Sequence, residues 1–259
     1  MEPISTPFFV TLQDRGQIRI EGADRLTFLQ GLITQDVLTL PLNTLRYGCL
    51  LTPQGKFLHD FFMYRTDDAL FLDVEGGHRT EDMMTRLMRY KLRAHISLSC
   101  DPTVSVYAVI NAPVGLSDPR HPGMGSRSWV KPDLPERPFA QWDDRRIWLN
   151  IPDGSRDMIP EKSILLECGI DKLNGIDFAK GCYMGQELTA RTHYRALIKK
   201  HLYPVQWHGA TPPPFTDISL NGETIGDMRS SCGHIGLAMI RDDAVERLHD
   251  PHNPVRLLG

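Results

Sequence analysis

The sequence predicts an α+β protein: mixed sheets with a few helices, closed by a small C-terminal β-barrel. Three observations carry this. Short strand-like runs separated by Gly and Pro turns fill the first part of the chain. One amphipathic helix pattern, over 80–94, interrupts them. After Pro212-Pro213-Pro214 only short strands and Gly turns remain, the pattern of a small barrel. With 259 residues, the chain can hold one large domain or two to three small ones, each burying its own core.

The elements follow in order. Residues 17–21 alternate polar and apolar, as a half-buried strand does. Gly22 breaks the run, Asp24 is placed to cap, and Leu26, Leu29, Leu32 and Ile33 recur at helical spacing. Strands over 47–51 and 57–64 flank Thr52-Pro53-Gln54-Gly55, a turn with well-placed Pro and Gly, so a β-hairpin is expected. A strand over 70–74 ends at Gly76-Gly77. The helix over 80–94 has Thr80 as cap and Glu81 and Asp82 in its first turn. Arg89, Lys91 and Arg93 lie in its last, matching the helix dipole. Met84, Leu87, Met88 and Leu92 form its apolar stripe. A buried strand over 104–110 follows.

From 111 to 138 prolines and glycines interleave, and the stretch reads as a long loop or linker. A strand is expected over 146–151, a short helix around 164–168, and strands over 201–207 and 234–240. Asn221-Gly222 is a hairpin signal.

Composition narrows the function classes. The formal net charge of −3 demands no bulk nucleic-acid or membrane partner. The five cysteines contain no C-x-x-C pair, which disfavours a zinc ribbon, a thioredoxin-like site or a disulfide framework. No apolar run has the length of a membrane span, and the first residues lack the features of a secretory or transit leader. These features lead us to expect a cytosolic protein.

The chemistry concentrates in Lys180-Gly181-Cys182-Tyr183-Met184-Gly185-Gln186-Glu187. Gly185 is placed to open a helix running towards Arg191. A thiol near a helix N-terminus and a lysine gains thiolate character, and thiolates are nucleophiles and soft-metal ligands. The alternative is that Cys182 is a small buried hydrophobe. His193 reads as a surface residue. Arg191, His193, Arg195, Lys199, Lys200 and His201 form a basic cluster that suits the carboxylate tail of an anionic ligand, RNA phosphates or a solvated face.

The segment 180–187, continuing to Arg191, resembles the signature of the YgfZ family of folate-binding proteins. The run Gly22 to Val37, the segment Leu51-Thr52-Pro53-Gln54-Gly55-Lys56 and the segment Leu173-Asn174-Gly175-Ile176-Asp177-Phe178 are similar to other parts of that family. The wider superfamily includes the glycine-cleavage T-protein, an aminomethyltransferase that binds tetrahydrofolate between its domains. The resemblance implies intertwined mixed α/β subdomains around a central folate channel over 1–200, with 111–138 as linker, and the barrel over 201–259.

It also implies roles for particular residues. Cys182 is the expected reactive thiol or transient iron–sulfur ligand, tuned by Lys180. Gly181, Tyr183, Gly185, Gln186, Glu187, Arg191, Asn174, Gly175 and Asp60 are the expected folate-binding or motif residues, with Tyr183 stacking on the pterin. The cofactor is tetrahydrofolate or another reduced folate. The partners are iron–sulfur client or assembly proteins, with tRNA as a less favoured partner and no membrane.

Two departures bear on activity. The T-protein strand Gly-Gly-x-x-Asp-Asp reads here Gly55-Lys56-Phe57-Leu58-His59-Asp60. Losing one aspartate to His59 argues against aminomethyl transfer. The family's Arg-x-x-x-Gly-x-Pro reads Arg146-Ile147-Trp148-Leu149-Asn150-Ile151-Pro152, and Asn is the best substitute for Gly at positive φ.

Overall fold

The computed structural model describes residues 6–101, 103–195 and 198–258. Residues 1–5, part of the leader reading, lie outside the described residues, as does the Arg195 side chain. In the first part of the chain the elements are β1 (Phe8–Leu12), β2 (Arg15–Glu21), α1 (Arg25–Gln30), β3 (Arg46–Leu51), β4 (Phe57–Arg65), β5 (Ala69–Glu75), α2 (His78–Lys91), β6 (Ser97–Asp101) and β7 (Val106–Ile110). They continue as β8 (Leu116–Ser117), β9 (Ser126–Ser128), α3 (Phe139–Trp148), α4 (Gln186–Arg195), β10 (Lys200–Trp207), β11 (Asp217–Leu220), β12 (Glu223–Cys232), β13 (Ile235–Arg241) and β14 (Val255–Leu257).

β1 pairs antiparallel with β7 in a four-stranded sheet ordered β1-β7-β9-β8. Between β1 and β7 the chain leaves to build a five-stranded sheet ordered β3-β4-β5-β2-β6. One sheet is thus inserted into the sequence of the other, and the two subdomains intertwine. A third sheet, ordered β11-β12-β13-β10-β14, curls into the C-terminal half-barrel.

The inserted sheet works on both faces because its strands alternate. Ile18, Ile20, Leu50, Phe61, Met63, Leu72 and Val74 pack against Leu29 of α1 and Met83 and Leu87 of α2. Burying each such side chain is worth about 1.5–3 kcal/mol. Tyr47, Cys49, Leu51 and Phe62 point the other way, into a core shared with β1, β7, α3 and Leu202, Leu237 and Met239 of the barrel. The β3–β4 register slips between Leu50 and Leu51, where Leu50 faces His59 but Leu51 faces Phe57.

The expected hairpin is present, its turn closed by Gly55 N–H donating to Thr52 O at 2.8 Å. Other expectations need correction. The segment 146–151 is no strand: Arg146 and Ile147 sit in the last turn of α3, where Trp142, Asp143, Arg146 and Ile147 are buried at helical spacing. The stretch 111–138 contributes β8 and β9 to the first sheet, edge-on to β7. Thr80 does not cap α2. Gly77 holds the cap position, and the Thr80 hydroxyl donates to Glu75 O at 2.7 Å. The buried stripe of α2 takes Met83 instead of Met88, while Leu92, past the helix end at φ 44, is 87% exposed. Asn150 does adopt positive φ, at 53°.

Candidate functional site

The residues read from the sequence as one site fall in two places. The first is a cavity of about 250 Å³ between the inserted sheet and the second subdomain. Its wall includes Arg15, Glu75, Arg127, Trp142, Asp153, Gly154 and Arg156. Strand alternation explains the charge: Arg15 of β2, Asp60 of β4 and Asp73 and Glu75 of β5 share the face opposite Ile18, Phe61 and Val74. Asp73 is buried and accepts from Arg15 Nε at 2.7 Å and Arg127 Nη1 at 2.6 Å.

Asp60 lies beneath Gly154. A Cβ added to Gly154, whose φ is 49°, would meet Glu75 Oε2 at 3.0 Å and Asp60 Oδ1 at 3.2 Å. The absence of a side chain there lets two carboxylates converge under one backbone position. Tyr47 Oη donates to Asp60 Oδ2 at 2.9 Å. Burial holds Asp60 above the usual carboxylate range, with Glu75 and Asp153 adding and Arg15 opposing. Asp153 goes the other way: burial is outweighed by Arg146, Arg156 and Arg15, which bring it down to about 2.

Arg127 completes the wall. Its guanidinium lies 3.6 Å from the centroid of the Phe62 ring. Burial, helped by Arg15 and Arg120, pulls it down to about 10. Its Nε is buried without a hydrogen-bond partner. That Nε stands 3.9 Å from Asp118 Oδ2, an ion-pair distance.

The second place is the signature loop. Gly185 has φ 82°, and a Cβ there would meet Thr52 O at 2.5 Å and Gly55 Cα at 3.0 Å. The glycine therefore lets the loop dock on the β3–β4 turn, and α4 starts directly after it, as expected. Met184 N–H donates to Gly31 O at 3.0 Å, tying the loop to the end of α1.

Lys180 acts on that same joint. Its Nζ donates to the carbonyls of Gln30, Ile33 and Gln35 at 2.6–2.7 Å. Burial pulls it down to about 8, with Asp36 and Asp177 opposing, so it remains the protonated donor at pH 7. All three of its protons go to carbonyls, and none to Cys182. Tyr183 is buried in the core shared by the subdomains, with the Lys180 ammonium 5.3 Å from its ring centroid. Burial pushes its phenol up to about 12. Tyr183 anchors the loop and lines no part of the charged cavity.

Cys182 is exposed. Gln186 N–H donates to Tyr183 O at 3.2 Å, while Glu187 and Arg191 pair on the surface of α4. A shallow pocket of about 210 Å³ lies beside Glu187, Leu188 and Arg191, and Cys182 lines neither cavity. Among the described residues no group of three or more His, Cys, Asp or Glu is placed to hold a metal ion. Asn174, at φ 57°, donates through Nδ2 to Pro119 O at 2.7 Å. Gly175 O accepts from Thr34 Oγ1 at 2.6 Å. Both serve the joint between subdomains.

The basic cluster is largely answered in place. Lys200 pairs with Glu167 at 3.7 Å and His201 with Asp242 at 2.7 Å, and His193 stacks on Phe178 at 4.0 Å. Sequence reasoning missed Arg15, Asp73, Arg127 and Glu75. The one available signal was Asp73, a charge inside the apolar run of β5.

The fold is that of a protein built like the glycine-cleavage T-protein. The GCVT N-terminal domain family matches residues 10–111, and the CAF17 C-terminal β-barrel domain family matches 199–257. The glycine cleavage system aminomethyltransferase T of Bartonella henselae superposes with a TM-score of 0.70 at 10% identity, covering 92% of this chain and 79% of that one. Among relatives, the iron–sulfur cluster assembly factor IBA57 homolog, mitochondrial, of Aspergillus clavatus is 30% identical, covering 90% of this chain and 70% of its own. IBA57 of Homo sapiens is 28% identical, covering 91% and 78%. The chain belongs to the YgfZ/IBA57 family. These relatives are named mitochondrial, which overturns the expectation of a cytosolic protein. Unpaired cysteines report the redox state of a compartment and do not say which compartment it is.

Proposed function

We propose that this protein binds a reduced folate, tetrahydrofolate or a derivative, in the charged cavity and acts in assembly or repair of iron–sulfur clusters on client proteins. The observation that carries the folate reading is the cavity wall itself: the guanidinium groups of Arg15 and Arg127 line it together with Glu75, whose carboxylate converges with that of Asp60 at Gly154. A pterin presents acceptors and an amino-amidine edge, which match that pairing. Residues 1–200 form the folate-binding region and 201–259 the barrel in this reading.

The cluster role rests on the family and on the exposed thiol of Cys182. A cluster held there as cargo would take its remaining ligands from the client or scaffold, since no metal-ligating group surrounds Cys182 among the described residues. Gln186 and Glu187 start the helix behind it, and Lys180 fixes the loop to α1. Arg191, Lys200 and His201 of the basic cluster are paired with acidic side chains, which makes tRNA the less favoured partner.

One observation favours a second reading, folate-dependent one-carbon transfer. His59, the altered position of the T-protein-like strand, faces α2, with Nε2 2.8 Å from Asp82. Asp60, the carboxylate that remains, is on the cavity side.

The test is titration with 5-formyltetrahydrofolate together with a reconstituted cluster-dependent client. Cys182→Ala is expected to keep folate binding and to lower client activity. Unchanged client activity would sink the role given to Cys182. Multiple turnover with an aminomethyl donor would favour the second reading.

A further inference from the structure

A second cavity adjoins the first. It measures about 310 Å³ and is walled by His78, Arg79, Ser155, Ile159, Pro160 and Phe215. The partition between the two is the Glu75 side chain, which lines the first cavity. Its carboxylate accepts from Ser155 Oγ at 2.5 Å, Ser155 N–H at 3.2 Å and Arg79 Nε at 3.3 Å, two residues of the second cavity. Glu75 is not sealed in: its side chain is 23% exposed.

Size and chemistry differ between the two compartments. The first, at about 250 Å³, is below the range of roughly 300–1,000 Å³ that ligand pockets occupy, whereas the two combined fall inside it. The second compartment offers a cation, an imidazole, two apolar walls and one aromatic face. That face is Phe215 from the barrel, held at φ 63°, a backbone region that a bulky side chain rarely adopts. Phe215 is 48% exposed, with the Arg229 guanidinium 5.4 Å from its ring centroid.

We infer that the second cavity takes the aryl-glutamate end of the folate, with Glu75 as a movable partition. This rests on the folate reading above. A carboxylate of the ligand's glutamate, beyond the reach of the pteroate's benzoate, replaces Glu75 on Arg79, His78 adds a second polar contact, and the ligand's aryl ring packs on Phe215. Glu75, released from Arg79, stays beside Asp60 as an acceptor for the head group. The exchange keeps Arg79 paired with a carboxylate in both states, so opening the partition leaves no buried cation orphaned.

The experiment compares 5-formyltetrahydrofolate with its glutamate-free analogue 5-formyltetrahydropteroate by calorimetry on the full chain. The wild type is expected to bind the glutamate form about tenfold tighter. His78→Ala is expected to cut that ratio to about threefold or less while leaving the affinity for the pteroate form unchanged, whereas Phe215→Ala is expected to weaken both ligands alike, because both carry the aryl ring; both substitutions are at exposed positions. Equal affinity of wild type for the two ligands overturns the inference and leaves the folate reading standing. So does a His78→Ala variant that weakens both ligands alike or neither, or a Phe215→Ala variant that weakens neither. If neither ligand binds the wild type, the folate reading fails and this inference with it. A circular-dichroism melt of each variant checks that it is folded.

Discussion

Arg146 and Asp157 form an ion pair at 2.8 Å in which both side chains are fully buried. The same guanidinium donates to Asp143 at 2.6 Å and to Ser230 Oγ of β12 at 2.6 Å. Asp157 in turn accepts from the backbone N–H of Ser230 at 2.9 Å. The network joins α3, the loop behind it and the barrel, so the arginine of the family's Arg-x-x-x-Gly-x-Pro run is an interdomain tie.

Removing one partner of a buried pair leaves the other charged without solvent. Arg146→Ala is therefore expected to lower stability by about 3–5 kcal/mol, read from urea unfolding. A loss below about 1 kcal/mol would mean that the network contributes like a surface pair.

His59 makes stability depend on pH. Burial, then Arg79, pull it from 6.5 to about 4, against the hydrogen bond that its ring donates to Asp82. The folded state thus keeps His59 neutral where the unfolded chain is protonated. The contribution is fully present above pH 6.5 and is lost as the pH falls from 6.5 towards 4. The total is on the order of 3 kcal/mol. Thermal melts between pH 7 and pH 4.5 should show a steeper fall for wild type than for His59→Gln.

Asp60→Asn retains a hydrogen-bonding partner for Tyr47 and removes a buried charge that burial already disfavours. Stability is expected to be unchanged or raised by about 1 kcal/mol. Folate affinity is expected to drop about tenfold or more. A variant that binds as well as wild type would remove Asp60 from the site.

Gly185→Ala tests the docking of the signature loop. The new Cβ meets Thr52 O at 2.5 Å and the residue keeps a positive φ. The two penalties together predict a loss of about 2–4 kcal/mol. Hydrogen exchange should then show faster opening of the loop around Cys182 and of the β3–β4 turn. An alanine variant as stable as wild type would show that the loop packs otherwise.

Cys182→Ala gives the contrasting outcome. An exposed thiol away from a cap or strained backbone carries little stability, so the change is expected to stay within about 0.5 kcal/mol. A larger shift in urea midpoint would assign Cys182 a packing role.

The sequence by itself determined the local pieces. Alternation in 17–21, the Pro-Gln-Gly turn after Thr52, the glycine opening α4 and the Asn-Gly turn before β12 each act over a few residues. Their signals therefore survive without context. The α+β class and a small C-terminal barrel followed from them, while the family followed from the resemblance of the 180–187 signature. Only the tertiary structure decided the rest. Arg146 reads as part of a strand because Ile147 and Leu149 alternate, but Pro138 and the buried face at Trp142, Asp143 and Ile147 make it helix. The insertion of one sheet between β1 and β7 brings Arg15, Glu75 and Arg127 to one cavity, with Asp60 and Asp73 behind its wall, from four strands of two sheets. It also leaves Cys182, the strongest motif residue, on a separate surface loop. The physical reason is range: turns and caps are set by neighbours in sequence, whereas a charged cavity depends on which strand faces meet across subdomains, a long-range choice that no short window of sequence contains.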